Sequence, residues 1–397
     1  MSSSQLAVGL TCVSFALYAA MTLLFWRAMA RRGAARRREP IAQRAPRVTI
    51  LKPLAGSDDE LEDNLESFAR IDYPSYEILF GVADLRDPAF AVARRFCARN
   101  PRLEARIIVT DPDAATNPKV AQLVALERVA TGELFVISDS NVRVGSQYLW
   151  SLVGELSDPR VGIVTSLFAG TGERTLGAAL ENLQICASTA PGIAAMNAVC
   201  ARPLTVGKSM ALRRRDLVRL GGFLPVGHVL AEDHLLGRRI LDAGYVARTS
   251  FDVVENRNVG CSLSRTLERH TRWAKMRRSL LPAGFFMEPL LSPIVIASAG
   301  ALLAPGKITA ACLGIVSVVQ TLCALLAVRL VRGRGFAWWY APLELARSYV
   351  ALFCWLRAWV SRRIAWRGHA FVLQRGSVIV PVATADDRAA AGARFAA

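Results

Sequence analysis

The sequence predicts an α/β domain, a mainly parallel sheet with helices on both faces, joined to a membrane by an N-terminal transmembrane anchor and C-terminal transmembrane helices. Three observations lead there. From Val48 onward short apolar strands alternate with helical stretches, the spacing of a parallel sheet whose crossovers are helices. Leu6 to Trp26 is 21 residues without a charge, enough at about 1.5 Å per residue to cross the roughly 30 Å of a hydrocarbon core. From Phe285 the composition turns apolar again. Of the 397 residues 53% are hydrophobic and 20% charged, which excludes a disordered chain. Lys and Arg number 49 against 32 Asp and Glu, a net +17 that suits nucleic acid, anionic lipid or a phosphorylated ligand. Much of that excess flanks the apolar runs, where membrane orientation accounts for it. Basic residues interleaved with aromatics are missing from the soluble part, so no nucleic-acid partner is expected. The eight Cys form no C-x-x-C pair and have no His at metal spacing; free buried thiols in a reducing compartment follow.

Each element can be justified in order. Arg27 to Arg47 holds eight Arg against Glu39 alone, and Met1 to Gln5 carries no charge. This charge distribution describes an uncleaved anchor (1–27) with its N-terminus outside, and a basic linker (28–47) on the cytoplasmic side. The domain at 48–280 then reads VTILKPL as a strand, a helix near Glu60 to Arg70, the strand EILFGVAD, a helix near Pro88 to Arg99, the strand ARIIVT, a helix from Pro118, and the strand LFVISDS. A strand over Lys208 to Leu212, a turn at Gly221-Gly222-Phe223 and a helix from Ala231 through Ala243 come next. Leu183 to Ala201 is uncharged, but one crossing there would put Asp139 and Asp233 on opposite sides. It is read as a small-residue helix broken near Pro191-Gly192 at the membrane surface. In the membrane region (281–361), Phe285 to Ala304 and Ile308 to Val328 form a hairpin turned outside at Pro305-Gly306-Lys307. Ala337 to Val360 carries Glu344, Arg347 and Arg357; it either crosses with those charges facing protein or lies in the interface. The tail (362–397) is pulled inside by Arg362, Arg363 and Arg367, whereas another crossing would leave it outside.

Ligands of such sheets sit at the carboxyl ends of the strands. Two strands end there in an acid, Asp84 and Asp139, and Asp233 opens a helix. Each has an ordinary alternative as a turn former, helix cap or partner of the helix dipole; together they suggest one site. Arg269 and Arg272 share a helix face by their i, i+3 spacing, with Trp273 beside them; a basic and aromatic membrane collar is the alternative.

An acid after the second strand, Asp139-Ser140-Asn141, Glu232-Asp233 opening a helix and Arg269-His270-Thr271-Arg272-Trp273 before a membrane hairpin resemble the D, D, D, (Q/R)-x-x-R-W pattern of membrane-bound, inverting GT-A glycosyltransferases. Within that class the chain resembles the ceramide glucosyltransferase family. The matching stretches include Ile50-Leu51-Lys52-Pro53-Leu54, Asp72-Tyr73-Pro74, Asp87-Pro88-Ala89, Asn117-Pro118-Lys119, Leu281-Pro282, Glu288-Pro289 and Trp366-Arg367.

The resemblance implies that Asp84 binds the uracil of a UDP-sugar, that Lys119 faces the donor, and that Asp139 holds a divalent cation, Mg²⁺ or Mn²⁺, on the diphosphate. The motif's second acid is Asn141 here, so one protein carboxylate would serve with water and phosphate. Asp233 would be the general base, ionised at an ordinary pKa of about 3.9, with Glu232 its neighbouring rival. Arg269 and Arg272 would stabilise the leaving diphosphate, and Trp273 would close the channel or anchor at the bilayer.

The implied reaction moves a hexose from a UDP-sugar onto the primary hydroxyl of ceramide. Ala121, Gln122 and Ala190 depart from the family and leave the sugar and acceptor open. A hopanoid acceptor, a processive polysaccharide synthase and a non-catalytic basic membrane protein are the alternatives. Ala and Arg richness suggests a high-GC bacterial genome, hence an inner membrane with the catalytic domain cytoplasmic.

Overall fold

The computed structural model describes residues 2–35, 45–200, 202–333 and 337–382. The main strands are β1 (Val48–Pro53), β2 (Tyr76–Val82), β3 (Glu104–Val109), β4 (Leu134–Ser138), β5 (Val142–Arg143), β6 (Val161–Thr171), β7 (Ser209–Arg213) and β8 (Val246–Arg257). They form one sheet in the order β3-β2-β1-β4-β7-β6-β8-β5. β1 pairs parallel with β2 and β4, β2 with β3, and β6 with β8, while β7 runs antiparallel between β4 and β6 and β5 antiparallel on β8. All but β5 and β7 therefore point one way, as the alternating pattern predicted. The apolar central strands β1, β4, β6 and β7 are buried at every position, the mark of strands covered on both faces. The edge strand β3 instead exposes Glu104 and Arg106, charges that discourage edge-to-edge pairing. β6 and β8 were not read from the sequence.

The anchor helix, Ser3–Ala35, runs past residue 27 into the basic segment. Its deep end, at Phe25, Ala28 and Met29, joins the core of the α/β domain. Residues 36–44 of the basic linker lie outside the described residues. Helix Lys307–Arg332 is the second segment long and apolar enough to cross a membrane. The hairpin limb read before it at Phe285 to Ala304 is a pair, Pro282–Leu291 and Pro293–Leu303, bent by 75°. Pro293 explains the break: it has no N–H to continue the helix and pushes Ser292 out of helical space, to φ −122° and ψ 87°.

One further reading is corrected. Leu176–Gln184 and Ala190–Val199 are not broken at Pro191-Gly192; they join through one wide π turn, Ile185–Thr189, just before the proline. The wider turn accommodates a ring that would collide with the carbonyl four residues back. This segment packs against the anchor helix and Lys307–Arg332. The tail is also structured: β9 (Arg363–Trp366), β10 (His369–Leu373) and β11 (Ile379–Pro381) form an antiparallel sheet. Ile364, Phe371, Leu373 and Ile379 pack on Leu230, and the Leu230 and Ala231 N–H groups donate to Ser377. The tail therefore lies on the α/β domain. Residues 383–397 fall outside the described residues.

For helix Ala341–Val360 the charges face protein. Glu344 is 1% exposed and Arg347 7%. Arg347 Nε donates to Glu344 Oε2 at 2.7 Å and its Nη1 to Gln184 Oε1 at 2.6 Å, while Gln320 Nε2 donates to Glu344 Oε1 at 2.8 Å. The opposite face exposes Leu345, Tyr349, Phe353, Leu356 and Val360. Both ends meet the α/β domain: Tyr340 OH donates to Glu173 Oε1 at 2.6 Å, and Lys275 Nζ donates to the Arg363 carbonyl at 2.7 Å.

Candidate active site

Strand register builds the site. Ser138, the last residue of β4, pairs with Ser209, the first of antiparallel β7, so Asp139 leaving one strand faces Lys208 entering the other. Lys208 Nζ lies 3.1 Å from Asp139 Oδ2 and donates to Asn141 Oδ1 at 3.0 Å. The second basic group comes from a helix start. Asn117 caps helix Pro118–Val129, its side chain accepting from the N–H groups of Lys119 and Val120, with Pro118 in the first turn. The cap aims Lys119 Nζ at Asp139 Oδ1, 2.8 Å away, and at Glu232 Oε1, 2.9 Å away.

Asp233 completes the cluster from the first turn of helix Glu232–Asp242. Its Oδ2 accepts the Gly207 N–H at 2.6 Å, and its Oδ1 the His234 N–H at 2.7 Å. Gly207 leaves room for both groups: a Cβ there would lie 2.9 Å from Lys119 Nζ and 3.1 Å from Asp233 Oδ2. Asp139 and Glu232 thus meet on one ammonium group, with Asp233 within its electrostatic reach.

Electrostatics separates the two acids. Burial would raise the pKa of Asp139, but Lys119 and Lys208 outweigh it and hold the carboxyl well below the carboxylate range. Burial also opposes the charge on Lys119, yet Asp139, Glu232 and Asp233 together raise its pKa above the ordinary value. Asp233 goes the other way. Burial raises it and Asp139 adds repulsion, with Lys119 and the two N–H donors compensating only in part. The expectation of an unperturbed Asp233 is corrected accordingly. Glu232 is raised as well, by burial and by Asp233, against the pull of Lys119.

The arginines are held by partners outside this cluster. Arg269 Nη1 binds Glu181, a fully buried carboxylate, and donates to Asn258 Oδ1 at 3.0 Å. It is also within electrostatic reach of Asp58 in the loop after β1. Arg272 Nη1 donates to the Ala365 carbonyl at 3.2 Å. Burial, with Arg269 and Arg367 nearby, pushes Arg272 down to about 10. Trp273 is half-buried and packs edge-on with His270, ring centroids 5.1 Å apart. Asp84 stays apart from the cluster: it forms a surface fork with its own loop, Arg86 Nη2 lying 2.8 Å from Asp84 Oδ2.

Several participants escaped the sequence reading. Lys52 is fully buried in β1, donates to the Asp139 carbonyl at 2.8 Å and sits 3.9 Å over the Phe68 ring. Burial pushes it down to about 7. A lysine inside the apolar run VTILKP was the available signal, since a charge is rarely placed in a central strand without a partner. Lys208, Glu181 and Asp58 carried no comparable signal.

For a divalent cation, Asp139 offers an ionised carboxylate and Asn141 a neutral amide oxygen. Among the described residues no group of three or more His, Cys, Asp or Glu is arranged to hold a metal. The donor set fits a hard cation whose other ligands are phosphate oxygens and water. The two lysines already on Asp139 would share or yield its oxygens.

Comparison with known proteins gives the family and the fold. Ceramide glucosyltransferase 3 of Caenorhabditis elegans is 28% identical over 249 residues, 62% of this chain and 53% of that protein. Ceramide glucosyltransferase 1 of the same organism is 26% identical over 350 residues, 84% of this chain and 73% of that protein. The chain therefore spans about half the length of the first relative and about three quarters of the second. A mannosyltransferase from Pyrobaculum calidifontis, solved with GDP-Man and Mn²⁺, superposes with a TM-score of 0.54 at 21% identity, covering 90% of this chain and 99% of that one, and shares the GT-A fold. The family model of glycosyl transferase family 21 matches residues 8–379, and the chain belongs to that family.

Proposed function

We propose that the protein is a hexosyltransferase that moves glucose from UDP-glucose to the primary hydroxyl of ceramide with inversion. The supporting observation is the meeting of Asp139 and Glu232 on Lys119, with Asp233 within its electrostatic reach, which puts the diphosphate side of a donor and a candidate base in one cleft. Asp233 takes the acceptor proton as the hydroxyl oxygen bonds to the anomeric carbon, and the bond to UDP breaks on the opposite face. Lys119 and Lys208 receive the growing diphosphate charge, assisted by Arg269 and Arg272; fixed cations need no reorganisation as that charge develops. A bound Mg²⁺ or Mn²⁺, held by Asp139, would supply further neutralisation of the diphosphate. Asp84 would reach uracil only after leaving Arg86.

The acceptor side is apolar. Leu281, Phe286 and Met287 are exposed just beyond helix Leu263–Leu280, as suits a substrate arriving through lipid. The Arg-rich flank of the anchor supports a catalytic domain at the cytoplasmic face, and the Ala and Arg richness supports a bacterial inner membrane.

Membranes containing the protein, given labelled UDP-glucose with ceramide or with a hopanoid polyol, test the reading. Labelled ceramide supports it, labelled hopanoid alone reassigns the acceptor, and a polymer refutes it. Asp233→Asn is expected to retain UDP binding and to lose turnover by about 10²–10⁴-fold, the usual share of a general base.

A further inference from the structure

The C-terminal sheet delivers a side chain to the site from outside the α/β domain. β9 and β10 are joined by the two-residue turn Arg367-Gly368, with Trp366 paired to His369. Both turn residues have positive φ, 49° and 83°, the geometry of a type I′ turn, in which Asn-Gly or Asp-Gly is preferred. Arginine gains nothing from the left-handed conformation, so the turn does not account for its presence.

Its contacts do. Arg367 Nη1 donates to the Ala55 carbonyl and Nη2 to Asp58 Oδ2 at 3.2 Å. That same Asp58 oxygen accepts the hydroxyl of Ser140, between Asp139 and Asn141. The guanidinium therefore sits where the loop after β1 meets the loop after β4, at the carboxyl edge of the sheet. Arg269 and Arg272 lie nearby, and Arg367 contributes to the depressed pKa of Arg272. Like charges gathered at a half-buried site are unfavourable unless an anion joins them. Asp58 carries one negative charge; a diphosphate brings more, with oxygens suited to a guanidinium fork.

We propose that Arg367 is a binding residue for the donor diphosphate, held beside its position by Asp58, and that the C-terminal sheet is thereby part of the active site. The inference rests on the nucleotide-sugar reading above. It is tested by the Kd of UDP and of uridine on the purified full chain in detergent, for wild type, R367A and R367K. Charge-assisted hydrogen bonds are worth about 1.5–3 kcal/mol, so R367A should weaken UDP binding roughly 10–100-fold and leave uridine unchanged. R367K, which keeps the charge without the fork, should fall between. UDP binding unchanged in both variants, or UDP and uridine weakened alike, overturns the inference alone. A wild-type chain that binds no UDP overturns the nucleotide-sugar reading and this inference with it.

Discussion

At the scale of single residues, Asp139 and Asp233 have the same side chain and opposite electrostatics. Two lysines keep the first ionised, whereas burial beside other carboxylates gives the second a greater hold on its proton. Because a base must be ionised to act, kcat/KM is expected to fall as pH drops through the raised pKa. The acid limb should therefore lie above the roughly 3.9 of a free aspartate. Glu232 is coupled to Asp233, so the measured limb belongs to the pair. Stability has the opposite sign: with a folded pKa above the unfolded one, the Asp233 contribution is present at low pH and is lost as pH rises through the folded value. A pH–rate profile with a limb at or below the free value would contradict this account, and melting of Asp233→Asn across the same range checks the stability sign. Asp139, Asp233, Arg269 and Arg272 were legible as residue types bearing chemistry at loop and helix-start positions. Glu181 and Asp58 were not, because nothing local distinguishes a buried carboxylate partner from a solvated one.

At the scale of elements, alternation between apolar runs and helical stretches revealed β1 to β4 and the helices between them. β6, by contrast, has Ser, Thr and Gly among its buried positions, so its apolar pattern is diluted. The tail strands are only 3–5 residues long and are stabilised by docking on Leu230, a contact no local pattern announces. Helix Ala341–Val360 is a similar case: its composition allowed two placements, and the choice depends on Gln184 and Gln320 from other helices. Removing one member of a buried ion pair strands the other at a cost of about 3–5 kcal/mol, while replacing both with apolar groups is often nearly neutral. Arg347→Met alone should therefore lower thermal stability markedly, and adding Glu344→Leu should recover much of it. Equal melting of the single and double variants would show that the pair is not what holds this helix.

At the scale of the whole molecule, the structure ties the last elements to the first. Arg332, ending the second long apolar helix, reaches Glu173 at 3.0 Å, and residues 363–381 rest on the α/β domain. With a single crossing by the anchor, a tag before Ser3 and a tag after Ala397 should be cleaved by protease from opposite faces of sealed vesicles. Cleavage of both from one face would disprove this topology.

The stripe Leu345, Tyr349, Phe353, Leu356 and Val360 turns oil-loving groups outward while its helix keeps a carboxylate and a guanidinium within. Such an inside-out helix leaves half of its core to be completed from outside the chain, a place bilayer acyl chains would fill. Loss of annular lipid should loosen the wall that carries Arg272 and the final sheet together, so catalytic competence and solvation by lipid become a single property of this fold.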